Sequence, residues 1–290
     1  MHQIETVSMA ANGLVFTADA AGPRDGDVVL LLHGFPQTRH AWRAELRALA
    51  AAGYRACAPD QRGYSAGARP AGIDAYRIEH LVADALALAD ALGAERFHLV
   101  GHDWGGQLAW ITAARSPRRV RTLSVVSRPH PAAFARAMSE DPEQGKRSGH
   151  HRAFQRAEAT DELLADRAAR LRAALSQQGV PEPDVAAYLA TLGERAALDA
   201  AVNWYRAAGS SGIAAADVPP VLVPTLYVWG DADATVGRRA AEGTRKLVDA
   251  PYRFVELAGI GHFVTDQAPD VFPPLLLAQL REHAGRRKSV

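Results

Sequence analysis

Short apolar runs alternate with amphipathic segments through the first 128 residues. Four runs are almost continuously apolar, as is typical of strands buried on both faces of a parallel sheet: VVLLL from Val28 to Leu32, RACAPD, FHLVGHD and TLSVVS. Between them, two segments carry hydrophobic residues at helical spacing and stop at a glycine: Trp42, Leu46 and Leu49 before Gly53, and Leu81, Ala85, Leu88 and Leu92 before Gly93. The alternation predicts an α/β fold, with a mostly parallel central sheet flanked by helices on both sides.

The same pattern divides the chain into two predicted domains. The first ~20 residues indicate two strands joined at Asn12-Gly13, a strong hairpin pair. From 129 to 218 strand-like runs disappear, and helices are expected instead at PEPDVAAYLATLG and at a segment with Thr160 as N-cap and apolar positions at Leu164, Ala168, Leu171 and Leu175. Strands resume with PTLYVWGD and RFVELAG. We therefore expect a core domain formed by 1–128 and 219–290 and a helical cap domain formed by 129–218.

Composition and charge exclude several classes of function. The chain has 290 residues, a net charge of +1 and a pI near 8.0, so no strong field favours nucleic acid or a membrane surface. No apolar run approaches the ~20 residues of a membrane span, and the N-terminus does not resemble a secretory signal. The single cysteine, Cys57, has the neighbours of a buried strand residue, and the basic tail REHAGRRKSV is expected to be a solvated end. A cytoplasmic protein is the default expectation.

Candidate chemistry lies where the predicted strands end. Ligands of open α/β sheets bind at the carboxyl ends of strands. His33, Asp60 and Asp103 each follow a predicted strand, so we expect the ligand site near them. Asp103 is also the central residue of GHDWG, a glycine-flanked turn that exposes a nucleophile between a strand and a helix beginning near Trp104. A carboxylate at this position forms an ester with a saturated carbon, as in opening an epoxide or displacing a halide.

An aspartyl ester must then be hydrolysed, and the sequence offers the groups for that step. His262 follows the last predicted strand and is expected to act as a general base toward water. Its orienting acid is expected to be Asp233, with Asp231 as the competitor. The backbone N–H groups of Phe35 and Trp104 are the expected oxyanion donors. The histidines show no zinc-like spacing, so neither a metal nor another cofactor is expected.

The segments HGFP, PDQRGYSAGARP and GHDWGG together resemble the epoxide hydrolases of the α/β-hydrolase fold. The resemblance implies a cap over the nucleophile, an epoxide substrate, and two proton donors from the cap. Tyr205, in NWYR, matches one donor. His150 stands where the family usually has its second tyrosine, a variation known in the Cif-type members, with His151 and Tyr188 as rivals. From the HGFP segment we also expect His33 and Pro36 to contact substrate.

Two other functions stay open at this level. Haloalkane and haloacetate dehalogenases share the aspartate and histidine, although haloalkane dehalogenases often carry an amide side chain where Phe35 stands here. A non-catalytic ligand-binding protein on the same fold is the third reading. A homodimer is compatible with the sequence, which carries no dimerisation signature.

Overall fold

An eight-stranded sheet forms the centre of the molecule. The computed structural model describes residues 3–283. Its strands are β1 (Glu5–Ala11), β2 (Leu14–Ala21), β3 (Val28–Leu32), β4 (Arg55–Pro59), β5 (Phe97–His102), β6 (Val120–Val126), β7 (Thr225–Gly230) and β8 (Tyr252–Leu257). They lie in the order β1-β2-β4-β3-β5-β6-β7-β8. The β1–β2 and β2–β4 pairs are antiparallel, and every pair from β4 to β8 is parallel. The predicted fold class is confirmed.

Twelve α-helices accompany the sheet. They are α1 (Arg43–Ala51), α2 (Ile78–Ala91), α3 (Trp104–Arg115), α4 (Pro131–Glu140), α5 (Pro142–Arg147), α6 (Gly149–Phe154), α7 (Ala159–Gln177), α8 (Glu182–Leu192), α9 (Arg195–Ala207), α10 (Arg238–Gly243), α11 (Val264–Gln267) and α12 (Phe272–Glu282), within the described residues. Short 3₁₀ helices occupy Arg39–Trp42, Ala66–Ala68, Ile73–Tyr76, Ala208–Ser210, Ala215–Asp217 and Thr244–Leu247.

Both faces of the sheet are buried at the central strands β3 to β7, which explains the unbroken apolar runs. Successive side chains of a strand point to opposite faces. In β3, Leu30 and Leu32 belong to the core that includes residues of α2 and α3, whereas Val29 and Leu31 belong to the core that includes residues of α1 and α12. Burial on both sides removes the polar alternation that a half-exposed strand would show.

Helices α4 to α9 all lie between β6 and β7, in the segment expected to be the cap. The long helix predicted there is interrupted. Within α7, Ala165 has extended backbone torsions and the residues from Asp166 to Ala168 have positive φ, so the segment is not one continuous helix. Thr160 is the second residue of α7, whose N-cap is Glu158, so the predicted cap is wrong. The Thr160 hydroxyl donates to Asp199 Oδ1 at 2.7 Å and ties α7 to α9.

Several other features bear on the sequence-based expectations. No helix within residues 3–283 has the length and apolar character that crossing a membrane requires. Cys57 is fully buried in β4, and burial raises the pKa of its thiol to about 12. Residues 284–290 of the basic tail lie outside the described residues.

Glu45, on α1, is a fully buried acid, and burial raises the pKa of its carboxyl to about 8.

Candidate active site

Asp103 lies in the sharp turn between β5 and α3. Its backbone has φ 50° and ψ −118°, a strained conformation for a residue with a side chain. The flanking glycines are sterically required, since a Cβ on Gly101 would lie 2.3 Å from the Gly105 carbonyl oxygen, and one on Gly105 would lie 2.0 Å from the Leu32 carbonyl oxygen. The turn thus holds the Asp103 carboxylate beyond the sheet edge in a fixed direction.

The loop after β3 supplies a backbone donor to that carboxylate. The Phe35 N–H donates to Asp103 Oδ1 at 3.0 Å. The close approach depends on Gly34, where a Cβ would lie 2.4 Å from Asp103 Cβ. Trp104 is the first residue of α3, so its backbone N–H belongs to the unpaired donors of a helix N-terminus. The backbone N–H groups of Phe35 and Trp104 therefore both lie beside the Asp103 carboxylate.

His33 does not lie on the cavity wall, contrary to the expectation that it contacts substrate. Its side chain is fully buried behind the Phe35 loop, with Nδ1 3.0 Å from the Gly34 carbonyl oxygen. Its Nε2 accepts from the Gln61 N–H at 3.2 Å, and the Gln61 amide donates back to the His33 carbonyl. The histidine therefore holds the loop in shape. Asp60, the other strand-end residue, pairs with Arg39. Pro36 does line the cavity.

His262 joins Asp103 to the buried carboxylate of Asp233. His262 Nε2 lies 3.7 Å from Asp103 Oδ2, and Nδ1 lies 3.1 and 3.2 Å from the two oxygens of Asp233. Sequence reasoning missed Ser127. Its Oγ lies 2.8 Å from His262 Nδ1 and donates to Asp233 Oδ2 at 2.6 Å, so the hydroxyl bridges base and acid. Ser127 follows β6 directly, and that strand-end position was the available signal.

The geometry distinguishes the two candidate acids. Asp233 is 1% exposed, and its Oδ1 accepts from the backbone N–H groups of Thr235 and Val236 at 2.7 and 3.0 Å. Asp231 is exposed, and its Oδ1 accepts from the Gly259 N–H at 2.7 Å, away from His262. The position of the carboxylate favours Asp233 as the partner of the imidazole.

The electrostatics of the site keep Asp103 ionised. Burial opposes its charge, but His262 more than offsets this and holds the pKa of the Asp103 carboxyl well below its usual range. Burial likewise disfavours a charged His262, yet the carboxylates of Asp233 and Asp103 raise its pKa to about 10. The contacts of His262 with Asp103 and Asp233 thus favour the charged forms of all three groups.

A cavity of about 290 Å³ opens above the carboxylate. Asp103, His262, Phe35 and Pro36 contribute to its core side. The helical segment between β6 and β7 contributes an apolar wall and four polar side chains, which are Arg147 from α5, His150 from α6, Gln178 after α7 and Tyr205 from α9. Tyr205 is 3% exposed, and burial raises the pKa of its phenol well above the usual value. Burial also lowers the pKa of His150 and so favours a neutral imidazole.

The two rivals for the second donor lie elsewhere. His151 points away from this cavity, and its ring is stacked with Trp104 at a centroid distance of 6.3 Å. The Tyr188 hydroxyl donates to Asp266 at 2.5 Å, outside the cavity lining. Of the four candidates, His150 and Tyr205 are the ones that face the space above Asp103, with ring centroids 6.2 Å apart.

Comparison with known proteins places this arrangement in a family. The sequence profile of the α/β hydrolase fold family matches residues 27–269. The chain is 32% identical over 277 residues to the AB hydrolase superfamily protein YfhM of Bacillus subtilis (strain 168), covering 93% of this chain and 96% of the relative. It is also 32% identical over 308 residues to epoxide hydrolase A of Mycobacterium tuberculosis, covering 92% and 94%. The crystal structure of an inhibitor-bound Bacillus megaterium epoxide hydrolase superposes with a TM-score of 0.86 at 26% identity, covering 95% of this chain and 100% of that one. The chain therefore belongs to the α/β hydrolase fold family and, within it, to the epoxide hydrolases.

Proposed function

We propose that the protein converts an epoxide into a vicinal diol through a covalent ester on Asp103. The observation that carries the proposal is the position of that carboxylate. Asp103 lies at the base of a partly apolar cavity, with His262 on the core side and Tyr205 and His150 on the cap side. An attacking group, a base for water and donors for a leaving oxygen therefore surround one space.

In the first step, Asp103 Oδ2 attacks a carbon of the epoxide ring while Oδ1 stays hydrogen-bonded to Phe35. A C–O ester bond forms, the ring C–O bond breaks, and its electron pair stays on the ring oxygen. Tyr205 and His150 donate hydrogen bonds to that oxygen as negative charge develops on it. Because burial raises the pKa of Tyr205, full proton transfer from the phenol is costly. Two donors share the charge, which limits that cost.

In the second step, water hydrolyses the ester. Alkylation removes the negative charge of Asp103, one of the two carboxylates that raise the pKa of His262. The pKa of the imidazole should therefore fall once the ester has formed, as a base toward water requires. The proton that the imidazolium loses goes to the alkoxide, so His262 becomes neutral as the hydroxyl forms. The proton that His262 then takes from water restores the imidazolium. The Phe35 and Trp104 N–H groups would stabilise the tetrahedral oxyanion, and its collapse releases the diol and the Asp103 carboxylate.

A direct experiment separates this function from the alternatives. The protein is incubated with styrene oxide and, separately, with 1-bromobutane, and diol and free bromide are measured, with Asp103→Asn as the blank. We expect diol from the epoxide and no bromide above the blank. Bromide without diol would identify a dehalogenase. Folded protein that turns over none of a panel of mono- and disubstituted epoxides would contradict the proposal.

A further inference from the structure

A second cavity lies behind the active site. It encloses about 340 Å³ and shares no lining residue with the cavity above Asp103. Three pairs of consecutive residues divide between the two spaces, the first of each pair facing the active site: Asp103 and Trp104, His150 and His151, Tyr205 and Trp204. Aromatic rings separate the two cavities, since Tyr205 lies 5.1 Å from Trp104 and 5.4 Å from His151 between ring centroids.

Arg128 is the feature of this second space that calls for a ligand. It follows Ser127 at the end of β6, and it is only 7% exposed. Its Nε donates to Gln107 Oε1 at 3.1 Å, and its guanidinium carbon lies 3.8 Å from the centre of the Phe134 ring. Within residues 3–283, no carboxylate forms an ion pair with Arg128, and its two terminal nitrogens donate no hydrogen bond. The Asp103 carboxylate favours the guanidinium charge from the other side of the aromatic wall but does not contact it. The terminal N–H groups therefore have no acceptor among the described residues, and Arg128 lines a cavity in which a ligand could supply one.

The rest of the lining is apolar or neutral. Aromatic and aliphatic side chains dominate, among them Tyr76, Ile78, Leu81, Trp204 and Ile213. His151 is the other lining residue that could carry a positive charge, but burial lowers its pKa to about 3, so it is neutral at physiological pH. The lining as described contains no acidic residue. The space therefore presents one positive charge against a hydrophobic wall.

We propose that this space, the Arg128 cavity, binds a small organic carboxylate with an aromatic or aliphatic body, as a molecule separate from the epoxide. The terminal N–H groups of a guanidinium match the two oxygens of a carboxylate. The apolar wall would cover the body of the ligand, and the volume lies within the range of small-molecule sites. The separation follows from the aromatic wall between the two spaces.

Calorimetric titration tests the site directly, without relying on turnover. The probes are phenylacetate and phenylacetamide, which share a shape and differ in charge. We expect saturable binding of the acid, about 10-fold or more tighter than that of the amide. Arg128→Gln should weaken acid binding by a similar factor. Arg152→Gln, which removes an exposed arginine from α6, is the matched control and should leave binding unchanged. Absence of saturable binding to the wild-type protein, or equal binding to Arg128→Gln, would overturn the proposal.

A second variant and a kinetic arm keep the test decisive if Arg128→Gln does not fold. Ala215→Phe fills the Arg128 cavity from the cap side and leaves the arginine in place, so it should also weaken acid binding. Where epoxide turnover is measurable, an acid concentration that saturates the Arg128 cavity should leave the KM for the epoxide unchanged. Pure competition, with only KM raised, would place the acid in the cavity above Asp103 and overturn the assignment. Because binding is read by heat, failure to find an epoxide substrate would not affect this test.

Discussion

Replacing Asp233 by asparagine tests the role of the buried carboxylate with little change of shape. The Asp233 side chain accepts hydrogen bonds from Ser127 and two backbone N–H groups and faces His262 Nδ1. An asparagine side chain keeps the size but loses the charge. It also brings an NH₂ group to one of the two positions that now accept, so it can no longer hold the imidazole with its proton on Nδ1.

The size of the effect follows from these contacts. A buried hydrogen bond to a charged group contributes about 1.5–3 kcal/mol, or roughly 10- to 150-fold in rate. Loss of the correct imidazole tautomer adds to this, and the corresponding change in a serine protease triad lowers kcat about 10⁴-fold. We therefore expect Asp233→Asn to slow ester hydrolysis by about 10² to 10⁴. Alkylation of Asp103 does not require His262 as a base and should be slowed much less.

Slower hydrolysis with preserved alkylation makes the ester accumulate. Steady-state diol formation measures the rate loss, and intact-mass spectrometry after mixing with epoxide should show an adduct of substrate mass. Asp231→Asn is the control, since Asp231 is exposed and its carboxylate accepts from the Gly259 N–H, away from His262. Our assignment would be refuted if Asp231→Asn lost as much activity as Asp233→Asn, or if Asp233→Asn stayed within a few-fold of wild type.

Three further outcomes are expected. Tyr205→Phe should lower kcat about 10²- to 10³-fold, as loss of one donor to a developing oxyanion does, whereas Tyr188→Phe should change it little; equal effects in a diol assay would remove Tyr205 from its role. His150→Tyr should retain activity with an altered preference among epoxides, measured as kcat/KM ratios, and an unchanged preference would turn attention to His151. The pKa of Glu45 is higher in the folded state than in the unfolded state, so the folded protein holds the proton to a higher pH. Between pH 5.5 and 7.5, Glu45 should therefore lower the free energy of unfolding of the wild type by about 1 kcal/mol per pH unit. Glu45→Gln should lack that slope in chemical denaturation, and parallel pH profiles would count against a protonated Glu45.

The sequence predicted the sheet well because burial leaves a direct mark on it. The strand Val28–Leu32 agrees with the structure residue by residue, since a strand covered on both faces has no polar positions. The sharp turn at Asp103 could also be predicted, because Gly101 and Gly105 are required there: a Cβ at either position would lie only 2.0–2.3 Å from a backbone oxygen. Residue types alone therefore predict features that depend on local sterics or on burial.

The sequence could not predict which side chains from different elements contact each other or which way they point. Ser127 contacts Asp233 and His262 because the carboxyl ends of β6 and β7 are neighbours. Its position after a strand could have marked it as a candidate, but the sequence does not show which side chains it contacts. His33 was expected at the cavity, but its ring turns back toward Gly34. His150 and His151 are adjacent on α6, and only the docking of the cap determines which one faces Asp103.

The most direct test of the mechanism is the fate of oxygen in a single turnover. Enzyme in excess over epoxide reacts in ¹⁸O-labelled water, and the diol and the peptide containing Asp103 are analysed by mass spectrometry. Covalent catalysis predicts an unlabelled diol, whose new oxygen comes from the Asp103 carboxylate, and one ¹⁸O retained in that peptide. Label in the diol together with an unlabelled Asp103 peptide would show that water attacks the epoxide itself and would contradict the ester intermediate.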